Sequence, residues 1–168
     1  LWISNTVERT RKLGVDLEDC NASVYHSRFI YKDRVDRHND VTAMFDSQDP
    51  GCATTSQVAE MSLDLKHATL LITELAPISA LIQRLGRLNR AIHPGQPEEE
   101  RPARPFVVIE PLRDDGAFSS APYEEHDLEL ARVWLSSLRA EPLSQSELVD
   151  AWRAIDRPTQ IRAQKSGW

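Results

Sequence analysis

Apolar residues gather in short runs along this chain, and their spacing switches between that of strands and that of helices. Leu1 to Ser4 reads as a short strand, and Asn5-Thr6 offers a helix N-cap ahead of Val7 to Leu13, with Gly14 placed to close that helix. Val24-Tyr25 ends a second strand. A helix is predicted from Tyr31 to Phe45, with Val35, His38, Val41 and Phe45 roughly on one face. Gly51 to Thr55 is a small-residued strand candidate running into a polar stretch from Ser56 to Leu65, and Ala68 to Glu74 is apolar enough for a central strand. Pro77, with its fixed φ, suits the first position of a helix. On that helix Ile78, Leu81, Ile82, Leu85 and Leu88 fall on one side, and Gln83, Gly86, Arg87 and Arg90 on the other.

Four strand-then-helix or strand-then-turn units in succession predict an α/β fold with a parallel sheet and right-handed crossovers. Residues 93 to 105, rich in Pro and Glu, read as an exposed, mobile loop before a last strand, Phe106 to Ile109. After a loop from Pro111 to Pro122, a helix is marked by Leu128, Ala131, Leu135 and Leu138 with Trp134 beside them. Ser144 and Glu147, spaced as a capping box, start another that is expected to reach about Ile155. From Arg157 to Trp168 no period is legible.

Composition narrows the class. A chain of 168 residues holds one core-forming domain with a small appendage, and 40% apolar with 27% charged residues is an ordinary globular balance. No run of 18 apolar residues and no charged-then-apolar leader is present, so neither a membrane span nor a secretory signal is expected, and a cytoplasmic location is. The chain opens on Leu1-Trp2-Ile3 without an initiator Met and is read as a piece of a longer protein. Cys20 and Cys52 are too few for a disulfide framework and fit reduced thiols. A net charge of −6 argues against binding nucleic acid by bulk electrostatics, so any such contact must be local.

Candidate chemistry centres on Gln83 to Arg90. Arg87 and Arg90 stand about one turn apart on a face without carboxylates, which suggests an anionic ligand, most simply phosphate. Gly86 between them is expected mid-helix, at a cost on the order of 1 kcal/mol against Ala, as if something approaches the backbone there. A solvated face of an amphipathic helix is the plain alternative. Asn5 and Thr6 follow a strand where outward N–H groups suit an anion, though simple capping accounts for them equally. Thr54, Thr55, Ser56 and Ser62 with Gln57, Glu60 and Asp64 make a polar turn after a strand, where ligand contacts concentrate in α/β sheets. His26 has no nucleophile or metal-ligand set around it in sequence and reads as structural, while Arg28 and Arg34 fit surface pairs with Asp33 and Asp36. No phosphate-loop motif, DExx-type Mg²⁺ site or His/Asp metal cluster is present, so this chain alone is expected neither to hydrolyse ATP nor to cut DNA.

Several segments taken in order, Ser4 to Arg9, Tyr25 to Phe29 with Lys32-Asp33-Arg34, Ser56 to Asp64, Leu71 to Ile78, and Gln83 to Arg90, resemble the second RecA-like domain of the CRISPR-associated helicase–nuclease of type I systems, a superfamily 2 helicase. The resemblance implies a RecA-like parallel sheet of about five or six strands flanked by helices over residues 1–110, with a linker and two appended C-terminal helices over 111–168. It implies that Arg87 and Arg90 are arginine fingers, with Gln83 beside the phosphates or partner domain and Arg84 and Gly86 near the nucleotide. Asp64 matches the acidic residue near the ribose, and Asn5, Thr6, Ser27, Arg28, Ser56 and Gln57 fall on the segments that touch single-stranded DNA. ATP and Mg²⁺ would be bound mainly by a first RecA-like domain outside this chain. The other implied partners are an HD nuclease domain and the RNA-guided surveillance complex, and the implied motion is 3′ to 5′ translocation. A DEAD-box RNA helicase would carry His at Gln83 and an Arg-Gly pair at Met61-Ser62. A third reading is a nucleotide-independent interaction module. The motor reading hangs on the Arg87 and Arg90 side chains facing a nucleotide cleft; if the two groups are turned inward, or neutralised by acidic neighbours within the same lobe, that interpretation goes with them.

Overall fold

The computed structural model describes every residue except 48, 49, 89, 91–94, 96, 98–101 and 166–168, and describes only the backbone of 61, 62 and 156–165. The predicted loop at 93–105 therefore lies mainly outside the described residues. In chain order the elements are β1 (Trp2–Ile3), α1 (Val7–Asp16), a short 3₁₀ turn (Glu18–Cys20), β2 (Ser23–Tyr25), α2 (Tyr31–Asp46), β3 (Ala53–Thr55), α3 (Ala59–Ser62), β4 (Leu71–Glu74), α4 (Ile78–Leu85), β5 (Phe106–Ile109), α5 (Glu125–Ser137) and α6 (Gln145–Lys165). The strands form one sheet in the order β2-β3-β1-β4-β5, every pairing parallel, with Ile3 opposite Thr55 and Thr73 and Leu71 opposite Phe106. A crossover between parallel neighbours requires an intervening connection, and the helices provide it, so the predicted α/β architecture is the observed one.

Central strands carry the buried residues. Ile3, Ala53, Leu71 and Leu81 are fully enclosed, and so are Leu63 and Leu65 beyond α3. Residues after 122 join the same cluster: Leu128, Ala131 and Trp134 of α5 are fully buried, Leu148 of α6 nearly so, and the Trp134 indole donates to the Leu148 carbonyl at 3.3 Å. Leu135 and Leu138 pack at its margin. Ser144 caps α6 reciprocally, its N–H donating to Glu147 Oε2 at 2.8 Å and its Oγ accepting from the Glu147 N–H at 3.3 Å. Lacking an apolar period past Ile155, the sequence gives no sign that the helix continues to Lys165.

Two other expectations are corrected. Gly14 does not close α1, which continues to Asp16. A Cβ on Gly14 would lie 2.3 Å from Val24 Cγ2, so the residue is small because β2 passes against the helix. Gly14→Ala is expected to cost about 1–3 kcal/mol of stability, with much of it recovered by adding Val24→Ala; urea unfolding of the single and double variants checks both. On α2, Val41 and Phe45 are buried as predicted and His38 meets the Tyr25 ring edge-on, but Val35 is 40% exposed because the first half of the helix projects beyond the sheet.

Candidate nucleotide and nucleic-acid site

In a parallel sheet all carboxyl ends of the strands share one edge, where ligands of α/β proteins bind. The order β2-β3-β1 sets three of the proposed segments side by side along it: Ser27-Arg28 after β2, Ser56-Gln57 after β3, and Asn5-Thr6 after β1. Sequence separation hides this adjacency. Ser27 and Arg28 are exposed, Gln57 and Thr6 half-buried, and Ser56 nearly closed off. Thr6 Oγ1 accepts from the Arg9 N–H at 3.2 Å and so caps α1. Asn5 is interior: its amide donates to the Leu75 carbonyl at 2.7 Å, its N–H to Glu74 Oε2 at 2.5 Å, and its Oδ1 accepts from Arg84. An outward phosphate contact from the Asn5 side chain is therefore replaced by a tie between β1 and β4.

Arg84 also departs from expectation. It is wholly buried, and its donors are committed within the fold. Nη1 reaches Asn5 Oδ1, Thr73 Oγ1 and the Glu74 carbonyl at 3.0, 2.8 and 3.1 Å; Nε and Nη2 reach Glu60 Oε1 at 2.9 and 2.8 Å; Nη2 also reaches the Tyr123 hydroxyl at 3.1 Å. Arg9 closes the far side, bonding Glu74 Oε1 at 2.8 Å and the Ala121 carbonyl at 3.0 Å. A buried guanidinium is tolerated only when paired and fully bonded, and this one is. Arg9, Thr73 and Glu74 lie in segments that carry the resemblance but had no role assigned there, and Tyr123 lies in none of them; Glu60 was legible as part of the polar turn.

The helix itself ends at Leu85, so Gly86 is its C-cap and not a mid-helix residue. What approaches it is the Gln145 side chain of α6, whose amide donates to the Ile82 carbonyl at 3.3 Å. Arg87 then folds back onto α3: Nη1 donates to the Leu63 carbonyl at 2.8 Å and Nη2 to the Glu60 carbonyl. It is 7% exposed, and among the described residues it bonds no carboxylate and its Nε has no partner. Burial, followed by the nearby Arg90, holds its pKa below the usual guanidinium value, yet arginine stays cationic at neutral pH. Arg90 pairs with Asp64 at 3.2 Å, both side chains well exposed, and donates to the Gly86 carbonyl at 3.1 Å. Gln83 is exposed and has no partner among the described residues. The expected carboxylate-free face with both guanidinium groups pointing outward is therefore not observed: Asp64 faces Arg90, and Arg87 is turned inward.

At the β2 end, the His26 ring stacks on Phe29 at 4.1 Å beside a groove of about 580 Å³ bounded by Arg11, Glu18 and Arg28. Among the described residues neither Arg28 nor Arg34 makes the anticipated pair with Asp33 or Asp36; Arg34 lies over the Tyr31 ring at 5.8 Å, and Arg37 lies over Phe29 at the same distance. Burial, then Arg11 and Arg28, pushes the His26 pKa below its ordinary 6.5. Below that ordinary value the unfolded chain takes up a proton that the folded chain resists, so His26 costs stability progressively as pH falls from about 6.5 toward its lowered value. The urea midpoint is expected to drop between pH 7.5 and 5.5, and to drop less in His26→Gln.

The C-terminal family of the CRISPR-associated nuclease/helicase Cas3 matches residues 1–93. A Myxococcus xanthus protein assigned as a CRISPR-associated nuclease/helicase Cas3 is 48% identical over the whole chain, which covers 21% of that protein. The CRISPR-associated endonuclease/helicase Cas3 of Thermus thermophilus is 43% identical over 88 residues, covering 50% of this chain and 9% of that protein. Among solved structures, T. fusca Cas3 with AMPPNP superposes over 90% of this chain and 19% of its own, with a TM-score of 0.69 at 24% identity. A pre-nicking CRISPR RNA-guided surveillance complex contains a chain matching 95% of this one over 21% of its own, with a TM-score of 0.72 at 23% identity. This chain thus spans about a fifth or less of the proteins it resembles.

Proposed function

The chain belongs to the C-terminal family of the CRISPR-associated nuclease/helicase Cas3, and on that premise we propose that it is the second helicase lobe of an ATP-driven, 3′ to 5′ single-stranded DNA translocase in cytoplasmic antiviral defence. Residues 1–110 supply the lobe and 111–168 a linker and helical appendage. The first RecA-like lobe and an HD nuclease domain lie elsewhere in the parent, and the RNA-guided surveillance complex is its partner. ATP and Mg²⁺ are held mainly by the first lobe, where the metal offsets charge on the phosphates. From this chain Arg87 and Arg90 donate to the γ-phosphate, Gln83 and the Gly86 backbone lie beside the phosphates, and Asp64 lies near the ribose. Arg84 acts through Glu60 and not on the nucleotide. Thr6, Ser27, Arg28, Ser56 and Gln57 line the DNA strand along the carboxyl edge, and Asn5 shapes that edge from inside.

One observation carries the nucleotide assignment: Arg87 is a nearly buried cation that, among the described residues, has an unpartnered Nε and no bonded carboxylate. Such a group is electrostatically incomplete, and an approaching anion relieves it. Arg90 is released at little cost, since exposed pairs are worth about 0–1 kcal/mol. Domain closure would then deliver both guanidinium groups to developing negative charge, and opening would move the DNA contacts relative to the first lobe.

The inward turn of Arg87 and the pairing of Arg90 with Asp64 fail the geometric condition set for a motor and favour the other reading, a nucleotide-independent interaction module, so the helicase reading leans on the family match. Turnover separates the two. The full-length parent is expected to hydrolyse ATP, faster with single-stranded DNA present. Absence of hydrolysis, or hydrolysis indifferent to DNA, would overturn the proposal.

A further inference from the structure

Tyr123 lies beyond the lobe's motifs, in the connector before α5, yet its hydroxyl reaches back into the site. It accepts from Gln57 Nε2 at 2.7 Å and from Arg84 Nη2 at 3.1 Å. Gln57 follows β3 at the carboxyl edge; Arg84 belongs to α4, three residues before Arg87 in the turn that follows that helix. Arg84 in turn holds the Glu60 carboxylate at 2.8 Å, and the carbonyl of the same Glu60 accepts from Arg87. A continuous series of hydrogen bonds therefore runs from Gln57 through Tyr123, Arg84 and Glu60 to Arg87. The neighbouring Arg9 bond to the Ala121 carbonyl, at 3.0 Å, pins the connector so that the hydroxyl is delivered to one place.

Resting on the helicase reading above, we propose that Tyr123 is a positioning residue: its hydroxyl couples the seating of a DNA strand at Gln57 to the placement of Arg87 for phosphate contact. Only a group that accepts two hydrogen bonds at the tip of a rigid ring fits this position, because both neighbours present donors. Burial pushes the phenol pKa up, so the hydroxyl stays protonated across the neutral range. A strand drawing on the Gln57 amide competes with Tyr123 for it and shifts the load on Arg84. In this account the connector belongs to the machinery of the lobe and is more than a tether. A contiguous bonded network is the physical requirement for such coupling, and coupling itself has to be measured.

The test is Tyr123→Phe in the full-length parent, with ATP turnover measured with and without saturating single-stranded DNA. The phenyl ring keeps the packing and removes only the hydroxyl. The ratio of DNA-stimulated to DNA-free turnover is expected to fall about fivefold or more, the lower end of typical coupling between sites. The KM for ATP should stay within about twofold, so that the loss is read in the DNA-stimulated kcat. A purely structural strap would lower the unfolding temperature and leave the ratio alone, and an unchanged ratio overturns the inference. If the wild-type parent shows no DNA stimulation, the helicase reading falls and this inference with it; if the wild type is stimulated and Tyr123→Phe equally so, only the inference falls. Should the variant not fold, hydrogen exchange on the wild-type parent decides: added DNA is expected to slow exchange in peptides spanning 118–128 as well as 53–60, and no change over 118–128 overturns the coupling.

Discussion

Replacing Arg84 by Met should destabilise the chain by about 3–5 kcal/mol, the usual cost of removing one partner from a buried charged pair. Met matches the aliphatic stem and adds no clash, so the loss reports the guanidinium. Its removal takes a donor from the Glu60 carboxylate, Thr73 Oγ1, Asn5 Oδ1 and the Glu74 carbonyl, in a place where Arg84 itself is wholly enclosed. Asn5 Oδ1 and Thr73 Oγ1 lose this donor in a buried setting. The Glu74 carbonyl keeps the Thr73 hydroxyl at 3.1 Å, while the Glu60 carboxylate, 15% exposed, is left a charge without its guanidinium. At about 2–4 °C per kcal/mol for a domain of this size, the unfolding temperature should drop by roughly 6–20 °C. Arg84→Lys should recover little, since a single ammonium cannot span the acceptors that the fork reaches. A loss below about 1 kcal/mol in urea unfolding would show that the network is not what joins β1, β4 and α3.

The sheet was legible because its strands leave short apolar runs with turn residues between, Leu70 to Ile72 entering a central strand and Phe106 to Ile109 even at the edge, where Val107 is 45% exposed. α4 and α5 were equally plain from their period. Legibility failed where a residue's reason lies across the fold. Gly14 looks like helix punctuation, but Val24, distant in sequence, explains its size; at Gly86 a Cβ would crowd the Gln83 and Ile82 carbonyls at 3.3 and 3.4 Å. Asn5 and Arg84 look like ligand contacts because polar residues in a motif are assumed to face outward; the structure turns them toward each other. Tyr123 had no sequence signal, since one aromatic in a Pro-flanked loop matches no periodic pattern. Charge on one helix face was read without the elements packed against it, which is how Asp64, on a different turn, escaped the estimate for Arg90.

Arg87 carries the central claim, and its replacement should have the largest effect on function. In the full-length parent, Arg87→Ala is expected to reduce ATP turnover by about 10³-fold or more, the range for a guanidinium that stabilises a transferring phosphoryl group. That corresponds to about 4 kcal/mol of barrier. The substitution also releases the Leu63 and Glu60 carbonyls, which α3 leaves exposed at its end, so a modest stability loss accompanies it. Arg87→Lys separates the two effects: it keeps a cation near those carbonyls but lacks the planar fork, and should restore stability more than turnover. The deciding measurement is ATP turnover by Arg87→Ala at saturating ATP and single-stranded DNA, with DNA affinity measured beside it. The account predicts turnover lost by about 10³-fold with DNA binding nearly intact; turnover within about threefold of wild type would contradict it and leave the lobe as an interaction platform.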